Sequence, residues 1–288
     1  MPGAASSVHD QLLAWRNRDG GWGYAPGKRS RLEPTCLALL ALADGLPGEA
    51  ARLLAFWPRR NGLWVDGPDL PPNYGFNGAA LVTASMSLRA HAALVEPVLQ
   101  QLKVGKGLAF EPSEEIRQDN RIQAWPWVDG TFSWVEPTAW CLLAVKKWRR
   151  AGDGLADARI EEAERLLTDR VCTGGGWNYG NAVVLTKALP AYVATTALAL
   201  LALQDRQELA AVQQSADFLE GEAASEASAL SLGLATIALH VLGRPATTAT
   251  AALASRLDTA AAVGQVVGVA IGLYALDYER HGCAAFRL

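Results

Sequence analysis

The sequence predicts an all-α chain folded as an α/α toroid of about six helical hairpins, one ring of helices inside another. Three observations predict it. A single plan recurs along the chain: an amphipathic helix, a Gly-rich turn with a Trp, an extended stretch, then an Ala/Leu-rich helix. Helices with one polar face alternate with helices that are apolar all round, which suits an outer and an inner layer. No sustained period-two run or tight strand-turn-strand signal appears.

The elements follow in order. The first copy spans 11–45, with Asp19-Gly20-Gly21-Trp22 as its turn. The second spans 51–91 and turns at Trp64; the third spans 103–150. The third holds an aromatic-rich insert, Trp125 to Trp134, and Trp134 is read as its turn Trp. The fourth spans 160–204 and turns at Gly174-Gly175-Gly176-Trp177. Two further hairpins, 212–243 and 250–278, lack the Trp turn. Glycine suits these turns because it takes positive φ freely. Pro34 and Pro137 suit the first turn of a helix. Inner helices are expected to begin near Pro34, Asn77, Pro137, Ala191, Ala227 and Gly264, with their N-termini at one end of the ring.

The chain has 288 residues, 50% of them hydrophobic and 19% charged, with a net charge of -3. That is enough for a sizeable core without a disulfide or metal staple. One domain, 1–288, is expected, since no long linker interrupts the repeats. Basic residues are scattered and read as solvated surface, so no nucleic-acid partner is expected. Cys36, Cys141, Cys172 and Cys283 have no paired spacing and read as buried thiols in a reducing, cytoplasmic setting. The first seven residues carry no basic-then-apolar export signal. The uncharged run 259–276 is rich in Ala, Gly and Val, with Gln265 inside it. It reads as a buried helix and not as a membrane-spanning segment.

The Trp-turn repeats resemble those of the squalene cyclases and the protein prenyltransferases, most clearly over 11–204. This chain departs from the common repeat at Asn17, where Gln is usual. The resemblance implies an isoprenoid-handling protein. Terpene cyclases of that group carry an Asp-x-Asp-Asp motif before Thr-Ala, and none exists here. Aligned on Thr138-Ala139, Glu136 stands at the motif's proton donor, with Trp134 and Pro137 at its flanks. Glu33-Pro34-Thr35 repeats the pattern. The prenyltransferase Asp-x-Cys zinc pair and the Asp-Asp-x-x-Asp magnesium cluster are also missing, so no metal and no cofactor is expected. His281-Gly282-Cys283 reads as a frayed tail.

Glu136 and Asp129 are the candidate catalytic pair. A carboxyl group in an apolar aromatic setting keeps its proton near neutral pH, and aromatic faces stabilise cations. The competing reading is an acid that only complements a helix N-terminus. Trp127, Phe132, Trp134, Trp140, Glu33, Asn73, Tyr74, Asn178, Tyr179 and Tyr192 are the candidate ligand-binding residues at the mouth. The polar run 117–121 reads as a solvated loop.

Three functions follow as expectations: a cyclase using Glu136 as acid, a non-catalytic toroid holding an apolar ligand or partner protein, and a carbohydrate-active α/α barrel using Asp129 and Glu136. The apolar inner helices weigh against sugars. Cyclases of the resembled kind place their site between two barrels. A lone toroid must use its own mouth or a partner protein.

Overall fold

A computed structural model describes residues 2–43, 45–46, 48–111 and 117–288. Residues 112–116, within the third repeat, and Met1 of the expected signal-free start lie outside the described residues.

Helices α1 (Pro2–Ala14) and α2 (Leu32–Ala41) form the first hairpin, and α3 (Glu49–Phe56) and α4 (Tyr74–Thr83) the second. After the short α5 (Ser85–Leu88), α6 (Ala92–Val104) and α7 (Val135–Trp148) form the third. The remaining pairs are α8 (Gly154–Asp169) with α9 (Val193–Ala202), α10 (Ala210–Glu222) with α11 (Ala229–Leu242), and α12 (Thr247–Ala262) with α13 (Val266–Leu276). The one-turn α14 (Tyr278–His281) leads into the C-terminal tail. Two minimal antiparallel ribbons sit in connections, pairing Arg59 with Trp64 and Val183 with Ala188.

Among the described residues, α2, α4, α7, α9, α11 and α13 each pack on the next, and α13 packs back on α2. The ring therefore closes. Outer helices lie over the grooves between inner ones: α10 touches α9 and α11, and α12 touches α11 and α13. Closure hides the apolar faces that an open solenoid would have to cap. Small residues set the inner spacing. A Cβ on Gly78 of α4 would stand 2.7 Å from the Trp140 carbonyl carbon of α7, and one on Gly233 of α11 would stand 2.6 Å from Ile271 of α13.

The Trp turns show why the repeat is written as it is. Trp22, Trp64, Trp125 and Trp177 are fully buried. Each indole N–H donates to a backbone carbonyl at the end of the preceding outer helix: Leu12 at 2.8 Å, Leu54 at 3.0 Å, Leu102 at 2.7 Å and Leu167 at 2.7 Å. The backbone of each Trp is clasped by one side chain of the following inner helix. Thr35, Asn77, Thr138 and Thr196 each bond both the N–H and the C=O of their Trp. One residue pair thus ties outer helix, turn and inner helix together. The third repeat's turn residue is Trp125, not Trp134 as expected from the sequence.

Two further expectations are corrected. The run 259–276 is not one helix: Gly264, at φ +70°, ends α12 and lets the chain reverse into α13. Among the described residues no helix is long and apolar enough to cross a membrane. The C-terminal tail is docked rather than frayed. Cys283 and Phe286 are fully buried, and the Lys147 ammonium donates to the carbonyls of Ala284 and Arg287.

Candidate active site

The second residue of each inner helix marks one end of the ring. In chain order these are Glu33, Gly75, Glu136, Ala194, Leu230 and Val267. Carboxylates occupy the first and third positions, on helices α2 and α7 that flank α4. Between them Gly75 leaves room for the Trp127 ring, whose Cζ3 would lie 2.7 Å from any Cβ there.

Residues two after each turn Trp form the matching rim: Tyr24, Asp66, Trp127 and Tyr179. Three of them hold the preceding repeat's inner helix by its first N–H. The Asp66 carboxylate accepts from Leu32 at 2.9 Å, and the carbonyls of Trp127 and Tyr179 accept from Tyr74 at 2.9 Å and Val135 at 3.0 Å. The rim and the helix starts are therefore locked in register. Tyr24 turns inward, and its hydroxyl donates to Glu33 Oε2 at 2.8 Å.

Glu136 stands where two cavities meet. The first, of about 380 Å³, is walled by Trp127, Phe132, Trp134 and Tyr179. The second, about 530 Å³, continues past Tyr192, Thr195, Ser225 and Ser231. Among the described residues no group hydrogen-bonds the Glu136 carboxyl. It caps no backbone N–H, although it lies in the first turn of α7, where an acid complements the helix end. Burial raises its pKa to about 7, and the charge of Glu33 adds to the rise. Burial likewise brings Glu33 to about 7; the Tyr24 hydrogen bond opposes this, and the Asp66 charge adds to it. Both side chains keep partial contact with the open mouth even though protein surrounds most of each. A group reachable by substrate but stripped of bulk water is the setting in which such shifts serve acid–base chemistry.

The structure gathers some of the expected residues and separates others. Trp127, Phe132, Trp134 and Tyr179 share a cavity with Glu136; Tyr179 and Tyr192 pair their rings with centroids 5.1 Å apart. Glu33 is not among the residues lining either cavity, but its charge reaches Glu136. Asp129 is exposed and accepts from the Tyr74 hydroxyl at 2.7 Å; its neighbours Val128 and Gly130 line the Glu136 cavity, and Asp129 itself does not. Asn73 caps α4 by accepting from Phe76 N–H at 2.9 Å. Asn178 folds its own turn by bonding Gly180, Asn181 and Pro190. Trp140 is buried and packs on Phe286 of the tail, with ring centroids 6.1 Å apart. Tyr24 and Asp66 escaped the sequence reading; the Trp-plus-two register would have revealed them.

No protein-family model and no curated protein sequence matches the chain. Solved structures do match it over nearly its whole length. A protein from Actinoplanes is similar at 16% identity and a TM-score of 0.55, covering 94% of this chain and 98% of that one. A family 76 glycoside hydrolase from a bovine Bacteroides thetaiotaomicron strain is similar at 12% identity and TM-score 0.57, over 96% and 77%. A second family 76 glycoside hydrolase, a mannosidase from Bacteroides thetaiotaomicron VPI-5482, is similar at 12% and 0.54, over 96% and 98%. The shared feature is the α/α toroid fold.

These findings overturn the expected kinship with terpene cyclases and prenyltransferases. No model of those families matches, and the matching toroids include glycoside hydrolases. The isoprenoid cyclase reading and its apolar isoprenoid ligand fall with it, and the non-catalytic alternative gains no support. The physical reason lies in the repeat. Its Trp and Thr encode hairpin packing, which toroids of different chemistry share.

Proposed function

We propose that this toroid is a glycoside hydrolase that cleaves a glycan at its inner-helix mouth, with Glu136 as general acid and Glu33 as the second carboxylate. The observation that carries it is the Glu136 carboxyl, without a hydrogen bond among the described residues and raised by burial to about 7, in an aromatic-walled cavity within electrostatic reach of Glu33. Two carboxyl groups with separated roles are what glycosidic cleavage requires. The Tyr24 hydrogen bond favours the charged form of Glu33, while nothing favours a charge on Glu136. Glu136 is therefore assigned the acid that protonates the leaving oxygen, and Glu33 the base or nucleophile. Trp127, Trp134, Tyr179 and Tyr192 offer flat faces for sugar rings.

The objection that apolar inner helices exclude sugars does not hold for this mouth. Those helices spend their apolar faces on one another. The cavity walls come from the rim loops together with the first turns of α7, α9 and α11 and the end of α10, and they carry aromatic, hydroxyl and carboxyl groups beside a few apolar ones. All residues in this scheme belong to one chain. Four buried, unpaired cysteines support a reducing, cytoplasmic place of action.

The test is release of reducing ends from a panel of mannans and other neutral glycans. Cleavage by the wild type, reduced about a hundredfold or more by Glu136→Gln, is the expected result. An unchanged rate in that variant would remove Glu136 from the chemistry.

A further inference from the structure

The second cavity at Glu136, of about 530 Å³, is one-sided in charge. Three carboxyl groups line it, those of Glu136, Glu222 and Glu226, and no Lys, Arg or His does. Its volume lies within the range of small-molecule sites. Glu136 is itself part of the lining, so an occupant needs no passage to reach it. Glu222 and Tyr192 are exposed, so the cavity can be entered from solvent.

Glu222 stands where the fold disfavours an acid. It is the last residue of α10, at the negative end of the helix dipole. Among the described residues no cation pairs with it; its side chain meets only the Ser225 hydroxyl, which donates to Oε2 at 3.3 Å. Asp217 and Glu220 of the same helix, by contrast, both pair with Arg244. Glu226 uses Oε1 to accept from the N–H groups of Ala227 and Ser228, at 2.7 and 2.8 Å. It too has no cationic partner among the described residues.

A separate observation points to an occupant. Thr195, in the first turn of α9, lines the cavity and is only 3% exposed. Its hydroxyl has no hydrogen-bond partner among the described residues, yet its oxygen is not sealed off by protein. The neighbouring Thr196 spends its hydroxyl on Trp177. The Ser231 hydroxyl, in the first turn of α11, is likewise without a partner. Recessed hydroxyls that the fold leaves unused are completed by whatever fills the space. The paired rings of Tyr179 and Tyr192 border the same cavity.

We propose that this cavity is an amino-sugar subsite, which takes a sugar ring bearing a free, protonated amine in the glycan bound at Glu136. This rests on the reading above in one respect, that a glycan occupies the mouth. The ammonium brings three N–H donors and a positive charge to Glu222 and Glu226, and no protein cation lines the cavity to compete. The ring hydroxyls suit Thr195 and Ser231, and the ring's C–H face suits Tyr179 or Tyr192. An N-acetylated ring has the hydroxyls without the charge. An aliphatic polyamine has the charge without the hydroxyls. An acidic sugar would set one more negative group among the three carboxyls.

The test uses Glu136→Gln as a non-cleaving background. The probes are a glucosamine tetramer with free amines, its N-acetylated counterpart and spermidine, with binding read by calorimetry. The free-amine tetramer should bind about tenfold tighter than the acetylated one at low salt, and the gap should narrow in high salt. Glu222→Gln should narrow the gap, and adding Glu226→Gln should close it. Glu222→Gln relieves an acid at a helix C-terminus, so its thermal midpoint should hold or rise. Thr195→Val should weaken both tetramers about fivefold without lowering the midpoint, because an unpartnered hydroxyl holds nothing in the fold. Equal binding of the two tetramers, or a gap untouched by the paired substitutions, would overturn the amino-sugar assignment. So would spermidine binding as tightly as the free-amine tetramer. If the wild type still cleaves neutral glycans in either case, the hydrolase reading stands. An amine preference that depends on Glu222, in a protein that cleaves no glycan, would uphold the subsite and remove the hydrolase reading.

Discussion

Glu136 carries a stability signature as well as a chemical one. Its pKa is about 7 in the folded chain against 4.5 for the ordinary group, and Glu33 shows the same direction. The folded state therefore holds these protons more tightly than the unfolded state. Stability is unpenalised below about pH 4.5, falls as pH rises towards 7, and stays lowered above it. Glu136→Gln should remove its share, on the order of 2 kcal/mol at about pH 8 and nothing at about pH 4. Thermal midpoints measured across that range check this; a variant whose midpoint tracks the wild type at every pH contradicts it. Tyr24 gives a second check. Tyr24→Phe removes the bond that stabilises the Glu33 carboxylate, so the acidic limb of the pH–rate profile should move to higher pH. A limb that stays in place would detach Glu33 from the base role.

The hairpin elements were legible in the sequence because their chemistry repeats. The switch from polar-faced to wholly apolar helix marked each inner helix within about three residues of its start. The turn Trp of the third repeat was misassigned because Trp125, Trp127 and Trp134 crowd one segment. Spacing separates them: the clasping side chain follows its Trp by 13 residues in the first three repeats, from Trp22 to Thr35, Trp64 to Asn77 and Trp125 to Thr138. In the fourth repeat the spacing grows to 19, because the short ribbon around Val183 and Ala188 is inserted. The assignment predicts different costs for two similar substitutions. Trp125→Phe should destabilise by about 2–3 kcal/mol, through a lost buried hydrogen bond and lost packing. Trp134→Phe should stay within about 0.5 kcal/mol. Chemical denaturation of both variants checks this, and equal losses would return the turn to Trp134. At the inner ring, Gly78→Ala would press a methyl against the backbone of Trp140 and should cost about 2 kcal/mol or more.

At the scale of the whole molecule, the closed ring explains both what was read correctly and what was not. Alternating helix types imply two concentric layers, and the contact of α13 with α2 closes them. The chemistry was harder to read, because the mouth is assembled from loops distant in sequence. Glu33 and Glu136 lie at the same end of the ring because the inner helices α2 and α7 both begin there, and the charge of Glu33 reaches Glu136. Their twin Glu-Pro-Thr contexts are visible in the sequence; Asp129, paired with Glu136 on sequence proximity, accepts a hydrogen bond from the Tyr74 hydroxyl. Fold-level likeness to cyclases then supplied the wrong substrate, since hairpin packing carries no information about the mouth. The most direct measurement of the central claim is the crystal structure of Glu136→Gln with a bound oligosaccharide. A glycosidic oxygen is expected within about 3 Å of the residue 136 side chain, with sugar rings against Trp127, Trp134 or Tyr179 and Glu33 on the cleaved ring's side. An oligosaccharide bound elsewhere on the molecule, with the mouth empty, would contradict it.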